Sequence, residues 1–130
     1  MKKRLTLIQM DVHVNDVEYN YTRVQELLSQ SLSESPDIII LPETWNTGFY
    51  PSKELINIAD RNGERTKSLL SAFAKEHNVN IVGGSVAVAK NDVVFNTSYA
   101  YNREGTLVGE YSKMHGFSPA KEDQYFAGGT

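Results

Sequence analysis

The sequence predicts an α/β fold, and three observations carry that prediction. Between Arg4 and Leu41 a strand-like segment, an amphipathic helical stripe and a second strand follow one another; parallel strands need a crossover of about this length, so the unit is a parallel β-α-β. The second of these strands, Ile38-Ile39-Ile40-Leu41, is an unbroken apolar run, as expected of a strand covered on both faces. Beyond Asn80 the chain changes to short β-rich segments separated by turn residues, which read as a meander.

Taken in order, Arg4 to Met10 is the opening strand, rich in β-formers. Asn15 with Glu18 three residues on has the spacing of a capping box, so a helix is expected to start there. Val17, Tyr21, Val24, Leu28 and Leu32 form its apolar stripe, opposite Glu18, Arg23, Glu26 and Gln30. Ser33 to Pro36 ends it. After the Ile38 to Leu41 strand, Pro42 has no amide hydrogen to give a ladder and closes the pairing. Asn46-Thr47-Gly48-Phe49-Tyr50-Pro51 combines turn residues with aromatics that can wall a ligand. A short helix is expected over Ser52 to Ala59 and a longer one over Glu64 to His77, with Leu69, Leu70, Phe73 and Ala74 inward. Asn80 to Ala89 is a third strand, in which Gly83-Gly84 marks a bulge or a close approach of another backbone or ligand. Lys90-Asn91-Asp92 turns the chain into Val94 to Tyr101 and Thr106 to Ser112, two strands joined by the hairpin residues Asn102 to Gly105. Lys113 to Thr130 has no period long enough to name an element.

A length of 130 residues fits one domain, and 40% hydrophobic with 22% charged residues is ordinary globular composition. The net charge is -3 and the basic residues are scattered, so neither nucleic acid nor an anionic membrane is the expected partner. No apolar stretch has the length of a membrane span or a signal core, so the expected location is cytoplasmic. Cysteine is absent, which removes disulfides, thiolate metal sites and thiol nucleophiles from these residues together. His13, His77 and His115 lack the local pairing of a helical metal site, and no metal is expected.

Glu43 stands where the central strand opens into a loop, and ligands collect outside the carboxyl ends of strands in helix-covered sheets. Lys113 follows the last strand in the same way. Together they can divide labour, Glu43 moving protons and Lys113 stabilising an oxyanion on a carbonyl carbon under attack. The plain alternatives are a solvated loop acid and a surface lysine. No attacking group stands out.

Leu41-Pro42-Glu43-Thr44-Trp45-Asn46-Thr47-Gly48-Phe49, the Gly83-Gly84-Ser85 strand, Asn96-Thr97-Ser98-Tyr99 and Tyr111-Ser112-Lys113-Met114-His115 together resemble the N-terminal half of the nitrilase superfamily, the carbon-nitrogen hydrolases. Thr47-Gly48-Phe49 and His115 are most similar to the branch of ω-amidase-like enzymes. The resemblance implies the N-terminal half of a four-layer α-β-β-α sandwich and a Glu-Lys-Cys mechanism that cleaves a small aliphatic amide to acid and ammonia without cofactor or metal. It implies that Glu43 is the general base, Lys113 the oxyanion holder and Glu122 a second glutamate that orients the lysine. It also implies a homo-oligomer in the complete form. The sequence departs from the family in one respect: the nucleophilic cysteine has no counterpart. Residues 1–130 are therefore expected to be a partial domain that stops before that cysteine, inactive alone, with one sheet face and an edge exposed. Ser85 and Ser98 do not occupy the missing position. The alternative function is a non-catalytic module that binds or assembles with a partner.

Overall fold

The computed structural model describes residues 1–130 as a mixed seven-stranded sheet with two long helices. Strand β1 (Leu5–Leu7) leads into helix α1 (Val17–Ser31), which crosses over to β2 (Ile38–Ile40), and β1 and β2 pair in parallel. After a long loop come α2 (Leu55–Ile58), β3 (Asp60–Arg61) and α3 (Glu64–His77). The meander follows as β4 (Asn80–Val82), β5 (Val86–Lys90), β6 (Val93–Tyr101) and β7 (Leu107–Ser112), and the chain closes with α4 (Glu122–Tyr125). Strand β4 extends the parallel part beside β2, while β4 and β5 both run antiparallel along one edge of β6 and β7 lies along the other. No helix is long and apolar enough to cross a membrane.

Alternation on these strands separates two faces. On the first, Tyr21, Val24 and Leu28 of α1 and Leu70 and Ala74 of α3 pack with Ile39, Ile81, Val86, Val88 and Tyr99 of the sheet. On the second, Ala87, Ala89 and Val94 pack under Leu55, Ala59 and Phe126, while much of that face on β1, β4 and β7 is open. Leu5 and Leu7 there are 56% and 68% exposed, and Val82 and Tyr111 are exposed as well. The expectation that both faces of the Ile38 to Leu41 run are covered is corrected accordingly: Ile39 is buried under the helices, but Ile38 and Ile40 are half-buried on the open face.

Three local expectations also change. The helix cap is Asp16, whose carboxylate accepts the Tyr19 N–H at 3.2 Å, and not Asn15. Asn15 adopts φ 64° and gives its N–H to the Thr47 carbonyl, while Glu18 turns outward to a two-pronged pair with Arg65 at 2.7 and 2.9 Å. The single strand expected over Asn80 to Ala89 is split at Gly83–Ser85 into β4 and β5. The tail after Lys113, with no element expected, holds a 3₁₀ turn at Ser118–Ala120 and α4, and Ala127 bridges to Phe95.

Candidate active site

The loop after β2 is fastened to the break between β4 and β5. Trp45 is fully buried, its Nε1–H donating to the Gly83 carbonyl at 2.9 Å and its ring edge-on to Tyr21 at 4.9 Å. Asn46 acts as a substitute strand: its Nδ2 donates to the Ala87 carbonyl at 3.0 Å and its Oδ1 accepts the Ala87 N–H at 2.8 Å. Ser85 Oγ accepts the Thr44 N–H at 2.9 Å. Thr44 sits at φ 45°, a conformation that disfavours β-branched residues by about 1–2 kcal/mol and persists only where neighbours enforce it. That strained turn projects Glu43 from the carboxyl end of β2 on the open face of the sheet.

Glu43 meets there Lys113, 70 positions on, and Glu122, nine further. Lys113 Nζ donates to Glu43 Oε1 at 2.9 Å and to Glu122 Oε2 at 3.0 Å. Glu122 begins α4 and is only 3% exposed, so it is no solvated loop acid. Its Oε2 also accepts the Phe117 N–H at 2.8 Å, and its Oε1 accepts from Asn96 Nδ2 at 3.0 Å. Asn96 lies mid-strand on β6, and neither periodicity nor composition assigns it a role. The signal available was a polar residue inside a strand whose neighbours are buried.

These contacts fix the charge states. Desolvation works against the Lys113 ammonium, but the hydrogen bonds and charges of Glu43 and Glu122 outweigh it and hold the pKa above the usual lysine value. Lys113 is a cation with two carboxylate partners, not a base. At Glu122 burial favours the neutral acid but is outweighed by the Phe117 amide, the Asn96 side chain and Lys113, which bring the pKa below the usual carboxylate range. Folding therefore favours ionised Glu122, and its contribution is present above the ordinary carboxylate pKa and lost as pH falls through the lowered native value. Thermal melting followed from neutral pH into acid is expected to fall less steeply for Glu122→Gln than for the parent chain; equal slopes would contradict the assignment.

A cleft of about 250 Å³ opens beside this cluster, lined by Glu43, Ser85, Asn96, Ser98, Tyr111 and Lys113. Phe49, from the loop after β2, approaches Phe117, from the loop after β7, with ring centres 6.4 Å apart; neither ring lines the cleft. The arrangement presents a carboxylate with one oxygen unengaged beside a fixed ammonium, in a shallow cleft open to an apolar sheet face.

Comparison with known proteins bears on the family and the fold. The carbon-nitrogen hydrolase family model matches residues 4–129. A 2-oxoglutaramate amidase of Bacillus subtilis is 36% identical over 130 residues, covering 100% of this chain and 49% of the relative. A human ω-amidase is 29% identical over 114 residues, covering 88% of this chain and 41% of the relative. Among solved structures, a superfamily protein of Xanthomonas campestris superposes with a TM-score of 0.84 at 30% identity, over 98% of this chain and 46% of that one. A nitrilase-superfamily amidase from Nesterenkonia shares the fold at a TM-score of 0.82 and 18% identity, over 98% of this chain and 49% of that one. The chain spans about half the length of the curated relatives it matches. With the family model matched almost from end to end and the α/β fold held in common, this chain belongs to the carbon-nitrogen hydrolases.

Proposed function

We propose that residues 1–130 supply the base, the cation and the orienting acid of an amide hydrolase whose thiol nucleophile comes from outside these residues. The observation that carries the reading is Lys113 Nζ held between Glu43 and Glu122 at 2.9 and 3.0 Å, beside an open cleft. Glu43 takes the proton of a cysteine thiol, and the thiolate attacks the amide carbon, since thioester chemistry needs the thiolate and not the thiol. Lys113 donates to the oxygen that becomes negative, an interaction that strengthens as charge develops. Glu43 returns its proton to the departing nitrogen, ammonia leaves, and a thioester remains. Glu43 then deprotonates water, which attacks the thioester; collapse frees the acid and a thiolate, which takes the proton back from Glu43.

Glu122 holds Lys113 in place and stays ionised throughout. Small aliphatic amides are the proposed substrates, and terminal amides of short dicarboxylic acids are the first to try because relatives carry the names 2-oxoglutaramate amidase and ω-amidase. Fusion of this chain to the second half of a family member that supplies a cysteine is expected to release ammonia from such amides. Lys113→Met in the fusion is expected to lower kcat by about 10²-fold or more, the scale of losing one oxyanion donor. Unchanged kcat in that variant would remove Lys113 from the mechanism.

A second reading is favoured by one observation, the exposed Leu5, Leu7, Val82 and Tyr111 on a single sheet face. A contiguous apolar face of this kind marks an interaction surface, and on this reading the chain is a non-catalytic module that assembles with a partner. A chain that stays strictly monomeric and well folded in size-exclusion chromatography, with no partner in pull-down, would argue against it.

A further inference from the structure

Asn96 is the one neutral side chain of the site that bonds both glutamates, and its backbone is joined to that of Lys113. It is 3% exposed and sits at the middle of β6, opposite Ala87. Its Nδ2 donates one hydrogen to Glu43 Oε1 and the other to Glu122 Oε1, both at 3.0 Å. Its backbone carbonyl accepts the Lys113 N–H at 2.8 Å. Meanwhile its own Oδ1 is buried with no hydrogen-bond partner, an arrangement that opposes folding and calls for an explanation beyond stability.

We propose that Asn96 is the positioning residue of the site, a neutral double donor that sets the two carboxylates apart around Lys113 and leaves one Glu43 oxygen free. The residue type follows from the task. Two converging carboxylates need two hydrogens from one short, uncharged group. Serine offers one, and aspartate would add a third negative charge. With Asn96 and Lys113 both on Glu43 Oε1, Oε2 makes no hydrogen bond within the protein, and Glu43 lines the cleft. Glu122, by contrast, has both oxygens engaged. Asn96 thereby makes the two glutamates unequal, one available for proton transfer and the other fixed. The catalytic consequence rests on the function proposed above; the arrangement itself does not.

Two measurements separate these. Carbon-detected NMR titration of the glutamate side chains in the 130-residue chain reads the arrangement without any activity. Glu122 is expected to titrate at higher pH in Asn96→Ala than in the parent, and higher still in the isosteric Asn96→Asp, where a carboxylate faces Glu43 and Glu122 in place of a donor. Asn96→Ser, keeping one hydrogen, is expected between parent and alanine. Should the alanine variant not fold, the isosteric aspartate decides. An unchanged Glu122 titration in folded Asn96→Ala or Asn96→Asp would overturn the proposal. In the cysteine-completed fusion, Asn96→Ala is expected to lower kcat by about 10²-fold with KM little changed, the scale of a misplaced reacting group. A loss shared equally with KM, in a fusion that Glu43→Gln inactivates, would overturn the positioning role alone. An inactive unsubstituted fusion would overturn the proposed function, and the titration would still decide what Asn96 holds.

Discussion

Glu43→Gln in the cysteine-completed enzyme is expected to lower kcat by about 10³-fold, within the range assigned to general acid–base catalysis, while KM stays near the parent value. Glutamine keeps the shape and an oxygen that can accept from Lys113 and Asn96, which now meet Glu43 Oε1 at 2.9 and 3.0 Å. It cannot take a thiol proton, return it to nitrogen or deprotonate water. The Glu43 side chain is 44% exposed, so melting of the variant is expected to stay close to that of the parent. Steady-state ammonia release alongside thermal melting checks both halves: a fully active variant contradicts the role of base, and a collapsed melting curve makes the residue structural.

Gly84→Ala is expected to be the most damaging small substitution for the fold. Gly84 adopts φ +59°, and an added Cβ would meet the Leu41 carbonyl oxygen at 2.5 Å and the Pro42 carbonyl oxygen closer still. Both obstacles are backbone, which cannot swing away as a side-chain tip can. The left-handed conformation disfavours alanine by about 1–2 kcal/mol, and overpacking adds about 1–3 kcal/mol, together a large share of the roughly 5–15 kcal/mol that holds a domain folded. Relief would require β2 to move away from the β4–β5 break, carrying Glu43 with it. Gly109→Ala is the control, since its Cβ would meet only the Ala100 Cβ at an ordinary 3.6 Å. Thermal unfolding is expected to drop by about 10 °C or more for the first variant and to change little for the second; equal drops would show that the close approach is not what the position is for.

The parts of the fold legible in the sequence were those set by local chemistry. The stripe through Tyr21, Val24 and Leu28 became the buried side of α1, Glu64 to His77 became α3 at both ends, and Pro42 ended the β2 pairing. Gly83-Gly84 announced a close approach, and the structure shows the backbone concerned to be that of Leu41 and Pro42. What was not legible depends on distant partners. Asn15 is held at φ 64°, outside the extended backbone that a cap favours, with its amide hydrogen given to Thr47, 32 positions away, and Asp16 caps the helix instead. Ile38 and Ile40 read as covered on both sides because an apolar run does not reveal which face has a neighbour. At the site, Glu43 and Lys113 are legible as strand-exit residues, yet their separation does not follow from spacing, and Glu122 is legible only through the resemblance. Asn96 carried no local signal beyond being polar in a buried strand. Its meaning comes from a register that sets it opposite Ala87 and beside Lys113.

On the proposed function, residues 1–130 hold the acid, the cation and the orienting glutamate, and the nucleophile comes from outside them. Ammonia release from a short ω-amide, measured for the 130-residue chain alone and after adding a cysteine-bearing second half, tests it most directly. No turnover is expected from the chain alone, turnover with the second half, and none when that half carries alanine in place of its cysteine. Full turnover by the 130-residue chain alone would contradict it.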